Sequence, residues 1–447
     1  MVKRIKRRPS VVVSADGEGL VGHAGTRLVA DVAEVCGLDS AYSAAMAPEY
    51  VRRPKHDPGE TLVDLAVVLA DGATCLSDLA VLRDQPELFG RVAPHATLWE
   101  TIDRVDADAL ARLRSARARA RGQAWTLGAG PEHRTVLDMD ATLTDAHSDK
   151  EGAAPTYKRG YGFHPLLCYL DETDEALAGV LRPGNAGSNT AADHIEVTDL
   201  ALEQIPDLEE REPYSILMRS DSAGATHAWL EHLRARELRF SVGFGIDAAV
   251  RDAIVSVPEA AWQRAVCQDG IEERDGAGVA ELDIDLSGWP DGSRLICRRE
   301  IPHDGAQFEI FDIDGYRHQC FITDDGDPDI VYLEARQRGH ARVEDGIRCS
   351  KDTGLVDFPH YKFRHNQTWL ELVLCAVDLL AWSARLTLDG DAARREPKRL
   401  RYTLLHVPAR IVTSGRRTRL RLQANWPWTH ELNTAFARLD NLRLKPG

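Results

Sequence analysis

The order of apolar runs predicts an α/β protein built on a mixed sheet, and three observations carry that expectation. A short apolar run bounded by polar residues, R-T-V-L-D-M-D (134–140), opens a block in which strand-like and helix-like segments alternate. Carboxylates recur where those strand-like segments end. A β-rich stretch from 246 to 334 then interrupts the layer before helical periodicity returns.

In chain order, residues 1–125 form a mainly helical unit. V-V-V-S-A-D-G-E-G (11–19) reads as a short strand and turn, and A-G-T-R-L-V-A-D-V-A-E-V-C (24–36) as an amphipathic helix. From Glu60 to Arg121 helices follow one another, with breaks at Asp71-Gly72, Pro86 and Pro94. Thr97-Leu98-Trp99-Glu100 has the spacing of a capping box and predicts a helix start. The last helix crowds Arg112, Arg114, Arg117, Arg119 and Arg121 into one stretch. The series fits a helix-turn-helix-like, DNA-binding module, and a plain helical bundle nearly as well.

Residues 126–245 form the first part of the core. Strands are expected at 134–140, 160–171 and 176–185, a helix at 191–205, a strand at 215–218, a helix at 226–236 and a strand at 238–244. In the insertion, 246–334, a helix near Ala260 gives way to strands at 282–286, 294–298, 308–313 and 318–323. Asp283 and Asp285 fall on its polar face. Residues 335–390 return to helix, including an apolar core helix at 366–385 whose Trp369 and Trp382 read as packing. Asn366 suits that helix's N-cap, with DNA contact as the other reading. A basic region, 391–447, completes the chain.

Composition narrows the functional classes. The chain has 43% hydrophobic and 28% charged residues, an ordinary globular balance. No apolar run is long enough to span a membrane. The basic start, M-V-K-R-I-K-R-R-P, is not followed by a long apolar segment, so no secretory signal is expected. Eight scattered cysteines without a C-x-x-C pair favour reduced thiols. The net charge of −15 argues against a nucleic-acid protein when taken alone, but the basic residues are clustered. They crowd the first eight residues, the Arg112–Arg121 stretch, and the segment from Arg394 to Arg421.

Three acids stand out. Asp140 follows the first core strand, Asp221 follows the strand at 215–218, and Glu344 lies on a helix beyond the insertion. Asp138 and Asp140 are one strand period apart and share a face. Buried acids are costly unless they hold a cation or a hydrogen-bond network. Two divalent cations held by carboxylates can activate an attacking oxygen and stabilise a leaving one in phosphodiester chemistry. Glu344 and Lys351 are two helical turns apart and face the same way, so one could hold metal and the other a DNA phosphate. Asp138 stays open between a second ligand, a neighbour that tunes the site and a capping acid. His147 and His164 lack partners at metal-ligand spacing.

Asp140-Ala141-Thr142, Arg219-Ser220-Asp221-Ser222 and H-A-R-V-E-D-G-I-R-C-S-K (340–351) together resemble the DDE transposases of bacterial insertion sequences. So does H-S-D-K-E-G-A-A-P-T-Y-K-R-G-Y-G-F-H-P-L (147–166). The family pattern Tyr-x2-Arg-x3-Glu-x6-Lys is kept at Glu344 and Lys351, while Gln337 and His340 replace its Tyr and Arg. The resemblance implies an RNase H-like core interrupted by a β-rich insertion. Asp140, Asp221 and Glu344 would be its catalytic and metal-binding residues, with Asp138, His340 and Lys351 in support. It further implies two Mg²⁺ ions, with Mn²⁺ able to substitute. The implied substrate is double-stranded DNA, as terminal inverted repeats and target, which a homodimer would hold in a synaptic complex. Lys158, Arg159, Arg348, Lys351, Lys362, Arg364, Arg416, Arg417 and Arg419 would contact DNA, and Trp289 would stack on a flipped base. The expected location is cytoplasmic, on the nucleoid, with no membrane partner.

Two other readings remain open. V-L-D-M-D-A-T-L (136–143) fits the D-x-D-x-T motif of haloacid-dehalogenase-like phosphatases, with Asp138 as nucleophile and I-T-D-D (322–325) as the late acidic pair. That reading leaves Glu344 and Lys351 unexplained. A DNA-binding protein on a catalytically dead core is the other, and intact acids at all three positions weigh against it.

Overall fold

Apolar residues at helical spacing fold the first quarter of the chain into α1 (Thr26–Val35), α2 (Leu38–Met46), α3 (Pro58–Ala70), α4 (His95–Arg104) and α5 (Ala107–Ala124). The computed structural model describes residues 11–267, 270–302, 312–415 and 417–444. Asp57 caps α3 by accepting from the N–H groups of Gly59 and Glu60, and Asp106 caps α5 through Ala109. The capping box expected at Thr97 is not used. α4 starts at His95 directly behind Pro94, whose ring already sets the turn into the helix. Residues 11–19 are exposed without regular structure; only Leu20–Val21 is a strand.

The mixed sheet begins with β1 (Val136–Ala141), β2 (Leu166–Leu170), β3 (Glu175–Val180), β4 (Leu217–Ser220) and β5 (Arg239–Phe244). β1, β2 and β3 form an antiparallel meander, while β4 runs parallel to β1 and β5 parallel to β4. The strand expected at 160–171 is broken at Pro165, which has no N–H to donate. Tyr161–Phe163 instead joins Thr144–Asp145 and Ala154–Pro155 in a small separate sheet. Helices α6 (Ala191–Leu202) and α7 (His227–Ala235) bury Val197, Ala201, Trp229 and Leu233 against one face of the main sheet.

After α8 (Ala248–Ser256) come β6 (Gln263–Val266), β7 (Glu273–Leu282), β8 (Arg294–Glu300) and β9 (Arg317–Thr323). β9 pairs antiparallel with β5, so the inserted strands extend the core sheet, in the order β6-β7-β8-β9-β5-β4-β1-β2-β3. The strand expected at 282–286 ends at Leu282. Asp285 then turns the chain by accepting from the Ser287 N–H. Most of the strand expected at 308–313 lies outside the described residues.

The chain continues as α9 (Ile330–Arg338), α10 (Arg342–Ser350), α11 (Phe363–Thr387), the hairpin β10 (Ala409–Ser414) and β11 (Arg417–Leu422), and α12 (Thr429–Arg443). Trp369 and Trp382 on α11 are fully buried, and one apolar core joins α11 to α1, α3, α5 and α12. The helical N-terminal region is therefore packed through α11 onto the sheet face opposite α6 and α7. No described helix is long and apolar enough to cross a membrane.

The arginine-rich helix α5 turns two of its five arginines into the interior. Arg117 and Arg121 are wholly buried. Arg117 pairs with Glu371 at 2.8 Å and Asp378 at 2.9 Å, and donates to the Ala176 and Leu177 carbonyls on β3. Arg121 pairs with Glu175 at 2.9 Å and with Asp378, and Arg114 with Glu371 at 3.1 Å. Three cations thus meet three anions in the interior, bolting α5 and α11 to edge strand β3. Asp378 also accepts from the Ala176 N–H at 2.9 Å. Asp378→Asn, which leaves two buried guanidiniums short of an anion, should cost about 3–5 kcal/mol of stability, measured by denaturant unfolding.

Candidate active site

Alternation along paired strands puts four charged side chains on one sheet face. Asp138 and Asp140 share it on β1, Arg219 and Asp221 share it at the end of β4, and Asp138 and Arg219 are direct partners across the parallel pair. Asp138 and Arg219 are each 1% exposed. Arg219 grips the Asp138 carboxylate with two hydrogen bonds, 2.8 Å from Nε and 2.5 Å from Nη2. It also pairs with Asp171 at 3.1 Å and donates from Nη1 to the Arg336 carbonyl at 2.6 Å.

This clamp positions the helix that carries the third acid. His340 Nδ1 lies 2.8 Å from Asp138, Arg342 forks onto Asp171 at 2.8 and 2.6 Å, and Gln337 donates to the Ser220 carbonyl at 3.3 Å. Gly339 sits where a Cβ would come 2.7 Å from Arg219 Nη1, so the guanidinium passes only because that side chain is missing. Farther along α10, Ser350 Oγ meets the Tyr169 hydroxyl at 2.8 Å. Glu344, in the first turn of α10, is thereby held over the strand ends. The last turn of α9 rests on β4 through Gln337, and the short helix after it rests on β1 through His340; these are the two positions that depart from the family pattern.

Asp221 and Glu344 are each within electrostatic reach of Asp140. Burial first, then the charges of Asp221 and Glu344, push the Asp140 carboxyl up to about 6, against the Ala141 N–H and His340, which hold it down. Asp140 accepts from the Ala141 N–H at 2.7 Å, and Asp221 from the Ala223 N–H at 3.0 Å. Among the described residues no Lys, Arg or His forms a salt bridge with any of the three. The three carboxylates do not close to within 4.8 Å of each other. Asp140 and Asp221 line a cleft of about 590 Å³ with Tyr157, His164, Asn185, Asn189 and His194. Those five did not stand out as a group in the sequence, because only the tertiary fold brings the 157–194 segment over the strand ends.

The remaining candidate residues scatter around this face. Lys351 is half-buried and donates to the Leu143 carbonyl at 3.1 Å; burial and the nearby charge of Lys158 hold its ammonium below the usual range. Lys158 and Arg159 are exposed in the turn of the small sheet. Arg348 is tied to Glu396 and Asp345, while Lys362 and Arg364 share Asp103 with His365. Asn366 is not the N-cap of α11, a position held by Lys362. It is buried and clasps the backbone of His360 in both directions, at 2.9 Å. Trp289 is half-buried, stacked on His227 at 3.9 Å and edge-on to Phe244 at the end of β5. Arg417 and Arg419 are exposed on β11, and Arg416 lies outside the described residues. By strand alternation Arg417, Arg419 and Arg421 share a hairpin face with Arg410, the partner of Arg421. None of these four is ion-paired among the described residues.

The phosphatase reading fails here on Asp138. A nucleophile must be reached, and that carboxylate is buried and held by Arg219 and His340. Its late acidic pair is spoken for as well, Asp324 by Arg234 and Asp325 by Arg336.

No curated protein matches the chain. A solved structure of a piggyBac transposase synaptic complex with hairpin DNA is similar at 11% identity and a TM-score of 0.41, over 86% of this chain and 79% of that one. That likeness is too slight to align residues. Residues 3–444 match the family model described as Transposase DDE domain group 1. A match spanning nearly the whole chain places it in that family: it is a DDE transposase, a metal-using enzyme that acts on DNA.

Proposed function

We propose that the chain binds the terminal inverted repeats of an insertion sequence, cuts there to free a 3′-OH, and joins that end to target DNA. The observation that carries this reading is that Asp140 feels the charges of both Asp221 and Glu344, while among the described residues no Lys, Arg or His forms a salt bridge with any of the three. Asp138, on the same face, is instead held by Arg219 and His340. An oxygen-only donor set of this kind suits Mg²⁺, with Mn²⁺ as substitute. Asp140, Asp221 and Glu344 would hold it, in two ions. When bound, such ions activate the attacking oxygen and stabilise the leaving one at a phosphodiester.

The chain's own residues supply position. The Asp138–Arg219–His340 clamp ties the segment that leads into the helix bearing Glu344 to β1 and β4, and so restricts where Glu344 can sit relative to Asp140 and Asp221. Lys351, two turns beyond Glu344, would steady a phosphate together with Lys158 and Arg159 across the small sheet. Asn185, Asn189 and His194 would border the strand entering the cleft. Trp289, held by stacking on His227, would offer a base an aromatic contact. The basic face of the β10–β11 hairpin would grip duplex phosphates farther out. Two chains would each hold one end, and the reaction would take place on the nucleoid in the cytoplasm.

Asp140→Asn, Asp221→Asn and Glu344→Gln should each abolish divalent-metal-dependent cleavage of end DNA in a gel assay while leaving end binding intact. Retained cleavage in any of them would refute the assignment. Because the Asp140 carboxyl is raised in the folded chain, its ionised form weighs against the fold. That penalty is absent below pH 4, grows as the pH rises towards 6, and is complete above it. Asp140→Asn should therefore stabilise the metal-free protein by about 1 kcal/mol at pH 8 and by less at pH 5, in thermal melts at both pH values. Replacing Arg417 and Arg419 with alanine should lower the slope of log K against log salt for end binding by about 0.9 for each DNA phosphate that is no longer neutralised.

A further inference from the structure

A second donor cluster lies away from the three acids. His23, Asp71 and His406 come from the turn before α1, the end of α3 and the loop before β10, and one ligand atom from each lies within 4.8 Å of the other two. His23 Nδ1 is 2.6 Å from Asp71 Oδ2, and His406 Nε2 is 3.2 Å from Asp71 Oδ1. The imidazole centroids are 4.3 Å apart.

Backbone contacts build this meeting. The Ala24 N–H donates to the Val407 carbonyl and the Gly25 N–H to the Leu405 carbonyl, each at 3.0 Å, so the residues flanking both histidines are joined. His23 takes a left-handed backbone, φ 52°, which a non-glycine residue adopts only when its surroundings hold it there. Asp71 is 5% exposed, and its Oδ1 accepts from the buried Thr26 hydroxyl. A carboxylate oriented by a neighbouring hydroxyl between two imidazoles is how first ligands of a metal are usually supported.

We propose that His23, Asp71 and His406 form a Zn²⁺ site. Two imidazole nitrogens and one carboxylate oxygen are a donor set for Zn²⁺, whereas Mg²⁺ wants oxygen alone. The two imidazoles are part-exposed, which leaves solvent access for a fourth ligand. To bind, His23 gives up its Nδ1 proton contact with Asp71, and His406 Nε2 gives up both Asp71 Oδ1 and the Asp71 carbonyl, 2.9 Å away. Each neutral ring then carries its proton on the outer nitrogen, and an imidazolium releases one proton to solvent. Arg401, whose charge reaches Asp71 and His406, donates to the Ala70 and Asp352 carbonyls at 2.8 and 2.7 Å. A bound ion would pin the start of the basic β10–β11 hairpin to α1 and α3, fixing that hairpin against the helical layer.

The test uses the full-length chain carrying Asp140→Asn, Asp221→Asn and Glu344→Gln together, so that the candidate catalytic acids cannot contribute. After treatment with a chelator and dialysis, ZnSO₄ alone is titrated by calorimetry, and X-ray absorption reads the donor set. One Zn²⁺ per chain with nitrogen and oxygen donors is expected. His406→Ala or His23→Gln should weaken binding about tenfold or more, with unchanged far-UV circular dichroism. No stoichiometric binding, sulfur donors, or undiminished affinity in both folded variants would overturn the site. Because the background lacks the three acids, neither result bears on the transposase reading.

Discussion

The candidate active site depends on one buried ion pair, Asp138 with Arg219. Two carboxylates on the same face of one strand, two residues apart, would repel each other and any third acid brought near. Arg219 removes that conflict by taking Asp138 out of the set with two hydrogen bonds. Its remaining donor reaches the Arg336 carbonyl, and Asp138 in turn receives His340. A charge that would otherwise disturb the site becomes the anchor for the helix that completes it. Both partners are almost fully buried, so solvent does not screen the pair and loss of either would leave a desolvated charge behind.

The same logic separates the chain's two kinds of arginine. On α5, Arg117 and Arg121 are spent inside, balancing Glu371, Asp378 and Glu175 where helices meet the edge strand. On the β10–β11 hairpin, Arg410, Arg417, Arg419 and Arg421 share a surface face, and among the described residues no acid forms an ion pair with them. A net charge of −15 is therefore compatible with a DNA-acting protein. Many acids are matched by arginines in ion pairs, and the arginines of the β10–β11 hairpin form a local basic patch.

Position along the sheet explains how the insertion can serve the core. β9 pairs with β5, so the inserted strands lie in the same layer as the strands bearing Asp140 and Asp221. Trp289 consequently packs on Phe244 at the end of β5, at the same end of the sheet as Asp221. An insertion attached by flexible linkers alone would give no such fixed relation.

Much of this was legible in the sequence. The apolar run at 134–140 and the alternation that put Asp138 and Asp140 on one face follow from local periodicity, which needs no distant partner. The helix at 366–385 and its buried tryptophans were equally readable. What local pattern left open was partnership. Arg117 and Arg219 look alike as letters, and only packing shows that one bolts α5 to α11 and β3 while the other clamps Asp138. The role of His340, the cleft wall formed by Asn185, Asn189 and His194, and the convergence of His23, Asp71 and His406 all join residues far apart in the chain. Burial and charge pairing at such distances are set by tertiary contacts, and these only the folded chain could decide.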